Sequence, residues 1–217
     1  MLDTRFPRPP GDVGNPASFP FPVRYRVVQG ASPERVVQQR AAGLLQPFIE
    51  AARELVKAGC VGISTTCGFL VLFQRELAAA LPVPVMTSSL LQIPDLQTSL
   101  APGELVGVVT ISAASLTQAH LAAAGATGEV PVEGVDAAGE MARAILGNQI
   151  TLDTALVQAE VVRAAQRLIA RQPAVKAIVL ECTNMPPYAD AVRRATGLPV
   201  YDALTALTGF WRDLRPD

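Results

Sequence analysis

Two similar α/β halves with parallel-type sheets, related by a pseudo-two-fold axis and enclosing a site between them, are what this sequence predicts. Three observations carry the prediction. Short apolar runs rich in Val and Ile alternate with longer helical stretches along all 217 residues, the pattern of an α/β fold. Several runs are continuously apolar rather than alternating, as strands covered on both faces are. A segment of the first half also returns, in the same order, 115 residues later.

The elements follow in order. Strands are expected at "MLDT", "PVRYRVV", "CVGIST", "PVPVMTS", "LVGVVTI", "VPVEGV", "AIVLEC" and "LPVYDA". Between the first two lies a Pro-rich stretch, residues 5–22. It reads either as a surface linker or as a rigid loop over a ligand cleft. "SPERVVQQRAAGLLQPFIEAARELVKAG" opens a helical stretch with Ser32 as N-cap and Pro33 at the first turn. Pro47 predicts two helices or a kink there. "DAAGEMARAILGN" and "TLDTALVQAEVVRAAQRLIARQ" are two further helices. The halves are expected at 1–100 and 101–202, with a C-terminal helix 203–217 packing back on the first. Phe210 and Trp211 on that helix fit either a core or an interface.

Composition narrows the function. Half the residues are hydrophobic, 17% are charged, and the net charge is −1. Lys and Arg are scattered, so no nucleic-acid footprint is present in the sequence. The most apolar stretch, "CVGISTTCGFLVLF", is too short and too polar to span a bilayer. The N-terminus lacks the charge and apolar pattern of a secretory signal, and a cytoplasmic protein is expected. Three cysteines, an odd number, do not suggest a disulfide framework, and one histidine without a CxxC gives a metal site little support.

The repeat places the chemistry. In "ISTTCGFLVLFQRELAAALPVPV" and "IVLECTNMPPYADAVRRATGLPV", Cys67 matches Cys182, Ile63 matches Ile178, and Pro84-Val85 matches Pro199-Val200. Each cysteine ends an apolar strand and precedes a helix. Ligands of parallel sheets bind outside the carboxyl ends of the strands, so one thiol is expected on each side of a small molecule. Inverting a carbon centre needs a base on one face and an acid on the other, each within about 3 Å of its proton partner. A thiolate and a thiol can fill those roles, and a helix N-terminus lowers a thiol pKa. Cys60 has no partner in the repeat and reads as a small buried hydrophobe. A regulatory disulfide between Cys67 and Cys182 ranks below catalysis in a reducing compartment.

At "TTCGF" and "ECTN" the sequence resembles the aspartate/glutamate racemase superfamily, which also includes hydantoin racemases, maleate isomerases and arylmalonate decarboxylases. The resemblance covers nearly the whole chain and is more specific at the second motif. It implies two similar domains around the site, no cofactor, Cys67 and Cys182 as the acid/base pair, and a homodimer or larger assembly. It further implies that Thr66, Gly68, Thr183 and Asn184 grip the substrate carboxylate. Thr110, Ser112 and, through "GNP", Asn15 match binding positions more loosely.

Departures from the family pattern bear on the substrate. Gly68-Phe69 stands where amino-acid racemases carry Asn-Thr. Asn184 stands where glutamate racemases carry His, and His120 lies on an expected helix, structural or exposed. Glu or Asp as substrate is therefore in doubt. Phe69, Leu70 and Met185 make either a more apolar pocket or core. The decarboxylases keep only the second cysteine. The expected function is a cofactor-independent racemase or epimerase acting on a small amino-acid-like or hydantoin-like carboxylate. The alternatives are a cis–trans isomerase or decarboxylase of a small dicarboxylic acid, or a non-catalytic small-molecule binder.

Overall fold

The computed structural model describes residues 1–214. The last three residues of the expected C-terminal helix, 215–217, lie outside the described residues. Among the described residues, six parallel strands form two sheets. In the first half β1 (Ile63–Ser64) pairs with β2 (Val85–Met86). In the second half the order is β4 (Val132–Gly134), β3 (Leu105–Thr110), β5 (Val175–Leu180), β6 (Val200–Tyr201). Leu105–Val109 of β3 and Ala177–Leu180 of β5 read as unbroken apolar runs because they are buried almost throughout, while Lys176 of β5 is exposed.

The repeat is structural. Ile63 pairs with Val85, and Ile178 pairs with Val200, in the same parallel register. The N–H of Ile63 donates to Pro84 O at 3.0 Å, and that of Ile178 donates to Pro199 O at 3.0 Å. Each Pro-Val therefore opens a strand beside the strand that carries the cysteine.

The helices are α1 (Leu45–Lys57), α2 (Gln74–Ala80), α3 (Ile93–Ser99), α4 (Gln118–Ala123), α5 (Thr154–Arg171), α6 (Ala189–Thr196) and α7 (Ala203–Asp213). The expected break near Pro47 comes earlier. A π-helical turn, Glu34–Gln38, ends where Arg40 and Ala41 take φ of 52°. Pro47 then sits in the first turn of α1, where a missing N–H leaves no helical bond unmade. "MARAILGN" likewise gives a π-helical turn, Ala142–Leu146, rather than an α-helix. Asp153 caps the long α5, accepting from the N–H groups of Ala155 and Leu156.

Two expected strands are not formed as ladders. "MLDT" and "PVRYRVV" exchange only isolated bonds: the Met1 ammonium donates to Arg26 O and Val28 N–H donates to Met1 O. The Pro-rich stretch between them is an ordered loop, not a linker. Asp12, 1% exposed, accepts from the Arg8 guanidinium at 2.8 Å and from Gly14 N–H at 2.7 Å. The C-terminal helix α7 lies against the first half: Leu207 and Phe210 join Val13, Phe19 and Met86 in one apolar cluster. The Phe21 and Trp211 rings stack with centroids 4.6 Å apart. No helix among the described residues is long and apolar enough to cross a membrane.

Candidate active site

β1 and β5 end within one residue of equivalent points, and the chain beyond each carries a cysteine. Cys67 precedes a 3-10 turn, Gly68–Phe73, and its carbonyl accepts from Leu70 N–H. Cys182 is followed by a turn in which Met185 N–H donates to Cys182 O at 2.9 Å, then by Pro186–Tyr188 and α6. The two cysteine loops touch directly: the Thr183 hydroxyl donates to Thr66 O at 2.8 Å.

Both cysteines line one cavity of about 20 Å³, together with Thr66, Gly68, Thr183, Asn184, Phe69 and Glu181. That is room for about one water. Its roof is apolar: Leu2 and Phe6 from the N-terminal segment, Pro33 and Val37 from one π-helical turn, Ile145 from the other. Single-turn π segments recur at functional sites.

The sequence passed over two residues here. Glu181, one residue before Cys182, is fully buried. Its Oε2 accepts from the Thr110 hydroxyl at 2.8 Å, and its Oε1 has no partner. Burial raises its pKa to about 8, the Thr110 bond opposing. Asp12 is the other. Its Oδ2 accepts from the Asn184 amide at 2.6 Å, and Asn184 Oδ1 lies 3.5 Å from the Cys182 sulfur. A buried chain thus runs from Arg8 through Asp12 and Asn184 to the thiol. Each residue left a sequence signal: a lone carboxylate closing the apolar run "AIVLE", and an Asp between two glycines in "GDVG".

The thiols are not acidic in this closed geometry, contrary to the helix-start expectation. Burial pushes Cys67 up to about 12, and the Glu181 carboxylate adds to it. The N–H groups of Phe69 and Leu70 oppose this but lose. Burial, then Glu181, holds Cys182 well above the ordinary thiol range. Desolvation outweighs two or three backbone dipoles when water is excluded.

The remaining expected residues separate into two groups. Thr66, Gly68, Thr183 and Asn184 are at the cavity. Thr110 reaches it through Glu181. The Ser112 hydroxyl pairs with Ser115, and the Asn15 amide is spent within its loop, on Arg8 O and Ala17 N–H. Neither Ser112 nor Asn15 lines the cavity. His120 is buried rather than exposed. It caps α4 with Thr117 and sets its ring edge-on to Phe69 at 5.2 Å. Phe69, Leu70 and Met185 are all core residues, and Phe69 is also a wall of the cavity. Cys60 is half-buried beside a smaller apolar cluster.

Gly68 replaces the family's Asn for a visible reason. A Cβ there would meet Glu181 Oε1 at 2.3 Å and Glu181 O at 2.4 Å. Gly68→Ala is expected to lose about 1–3 kcal/mol of folding stability, read as a lower urea midpoint with an unchanged m-value. A companion effect concerns pH. A carboxyl whose folded pKa is raised stabilises the fold most below its unfolded pKa of about 4.5, and that contribution is lost as pH rises through about 8. Glu181→Gln mimics the protonated form. It is expected to lie within about 1 kcal/mol of the parent near pH 5 and to be more stable at pH 9, by an amount on the order of 5 kcal/mol. Thermal scans across that range check it.

Comparison with known proteins identifies relatives. The profile of the Asp/Glu/hydantoin racemase family matches residues 94–210. A dimethylsulfoniopropionate lyase of Durusdinium sp. clade D is 34% identical over 225 residues, covering 97% of this chain and 72% of the relative. Dimethylsulfoniopropionate lyase 7 of Emiliania huxleyi (strain CCMP1516) is 34% identical over 221 residues, covering 96% of this chain and 64% of the relative. Among solved structures, a sulfate-associated glycine-to-cysteine variant of arylmalonate decarboxylase superposes with a TM-score of 0.64 at 18% identity, over 97% of this chain and 90% of that one. The shared fold, the repeat and the extent of these matches agree: the chain belongs to the Asp/Glu/hydantoin racemase family.

Proposed function

We propose that this chain is a cofactor-independent lyase that removes the proton α to a carboxylate and expels a β-sulfonium group, with dimethylsulfoniopropionate as its substrate. The observation that carries the reading is the shared cavity, where two thiols from equivalent strand ends meet a buried carboxyl. The similarity to dimethylsulfoniopropionate lyases supports the choice of substrate.

The lining favours a zwitterion. It holds Glu181 and no Arg or Lys. A dicarboxylic acid would bring two anions to a lining with no cation to meet them, whereas the sulfonium of a zwitterion supplies its own positive charge and favours Glu181 in its ionised form. The same cation stabilises a thiolate, which the empty cavity disfavours. Substrate entry therefore supplies the charge that activates the base. Glu181, which lines the same cavity and whose pKa burial lifts to about 8, receives the proton the thiol gives up.

Elimination then balances simply. The Cys182 thiolate takes the α-proton, and the C–H electron pair becomes the new C=C bond. The bond from the β-carbon to sulfur breaks with its pair on sulfur. Neutral dimethyl sulfide leaves and acrylate remains. The carboxylate of the substrate is assigned to the end of the cavity lined by Thr66 and Thr183. The roof of Leu2, Phe6, Val37 and Ile145 must swing aside for a molecule of this size to enter.

The family's racemisation is the second reading, because two thiols stand where one base would serve for elimination. The test incubates the protein with dimethylsulfoniopropionate and follows dimethyl sulfide and acrylate. In parallel, aspartate, glutamate and hydantoins are followed for α-proton exchange in deuterium oxide. Release of dimethyl sulfide supports the lyase. Exchange without release moves the assignment to a racemase. Neither result with any of them defeats α-proton abstraction as the function.

A further inference from the structure

A cavity of about 440 Å³, lined by neither Cys67 nor Cys182, lies between Val23–Arg26 on one side and Cys60–Thr66 on the other, and Met1 sits at its end. The α7 side chains Leu207, Phe210 and Trp211 close one flank. We propose that this slot is a strand-acceptor site: it takes a parallel β-strand of five residues that leads directly into Met1.

The register of the second half fixes the length and direction. There, Val135 N–H donates to Thr110 O; here, Val28 N–H donates to Met1 O. Met1 is thus the counterpart of Thr110, the last residue of β3. Thr66 is the counterpart of Glu181, by the offset that relates Cys67 to Cys182. The five residues before Thr110, Leu105–Val109, run between β4 and β5 and pair with both. Their counterparts would run between Val23–Arg26 and Cys60–Thr66, along the slot.

The exposure of β1 agrees. Val179 on β5 is fully buried, whereas its counterpart Ser64 is exposed. Ile63 N–H is turned toward β2, so by strand alternation the N–H groups of Gly62, Ser64 and Thr66 are turned toward the slot. The N–H groups of Arg24 and Arg26 share the direction of Val28 N–H and enter it from the other side. A sheet with a missing central strand leaves two rows of backbone groups facing a gap, the arrangement that strand addition satisfies. The Met1 ammonium, on a half-buried residue, donates to Arg26 O, and its pKa is lowered to about 6 by burial and then by Arg8. A peptide bond at that atom would replace a half-buried charge by a neutral N–H.

The strand should be apolar and free of proline. α7 and the Leu55 side of α1 press apolar groups on the slot, and both slot walls require N–H donors from the guest. The proposal does not depend on the reaction assigned above, and its readout is independent of activity. Three chains test it: the parent, one with Leu-Val-Gly-Val-Val placed directly before Met1, and one with Leu-Pro-Gly-Pro-Val there. Amide hydrogen exchange at Gly62, Ser64, Thr66, Arg24 and Arg26 is measured in each, with thermal unfolding alongside.

The first extension is expected to slow those amides at least tenfold and to raise Tm, and the Pro-bearing one to do neither. Folding of only the first extended chain would also support the proposal. Equal protection by both extensions, or exchange at the parent rate in the first, overturns it. So does concentration-dependent protection in the parent, which would assign the slot to a second copy of the chain.

Discussion

Cys182→Ser is expected to cost about 10³-fold in kcat/KM for dimethyl sulfide release while leaving the fold intact, because a positioned base contributes on the order of 10²–10⁴. A serine hydroxyl keeps the size and the hydrogen bond to Asn184 but does not ionise in this cavity. Cys67→Ser discriminates the two chemistries. Elimination needs one base, so this variant is expected to lose roughly tenfold, through altered substrate placement. Racemisation needs both faces and would be lost in either variant. Steady-state rates for the three proteins, with deuterium exchange at the α-carbon, separate the cases. Parent-like rates in both variants would remove the thiols from the mechanism.

Asp12→Ala is the second large effect. The Asp12 carboxylate accepts from Arg8, Gly14 N–H and the Asn184 amide, and both members of the ion pair are largely buried, at 2% and 12% exposure. Removing it strands a guanidinium that still carries a hydrogen bond to Thr4 and lies 4.7 Å from the Phe6 ring. The cost is expected at about 3–5 kcal/mol, the range for breaking one side of a buried pair. Asp12→Asn keeps the shape and should cost less, while freeing Asn184 to turn from the Cys182 sulfur. Urea unfolding measures the first effect and kcat the second. An Asp12→Ala protein within about 1 kcal/mol of the parent would mean that Arg8 finds water, and the buried chain to Cys182 would lose its energetic argument.

How much of this was legible in the sequence follows from what kind of force decides each feature. The repeat around Cys67 and Cys182 was readable because strand ends and Pro-Val openings are local and periodic. Their identical registers, Ile63 with Val85 and Ile178 with Val200, are its direct structural expression. Gly68 was legible as a departure, but its cause was not, since the crowding comes from Glu181 in the other half. The thiol acidity was misjudged for a similar reason. Capping by backbone N–H groups is visible in sequence, whereas burial from all sides is a property of the closed cavity. Asp12 was hidden because its partners lie both four residues and 172 residues away. "MLDT" and "PVRYRVV" have strand composition, yet a strand forms only beside a partner, and most of "PVRYRVV" faces the slot instead of a strand. Asn15 matched a family turn, and the turn is indeed built, by Asn15 itself capping Pro16–Ser18.

The loop that carries Asp12 has one more consequence. Leu2 N–H bonds to the Thr66 hydroxyl, Val13 N–H bonds to Thr183 O, and Gly11 lies against Pro187, so one short run of chain is moored at the shoulders of both sulfurs. A protease that nicks anywhere between Arg5 and Gly14 would leave nearly all of the hydrophobic core standing and still release the mooring. Such a clipped preparation would look folded by circular dichroism and be silent in the assay, so intact mass should accompany every activity measurement.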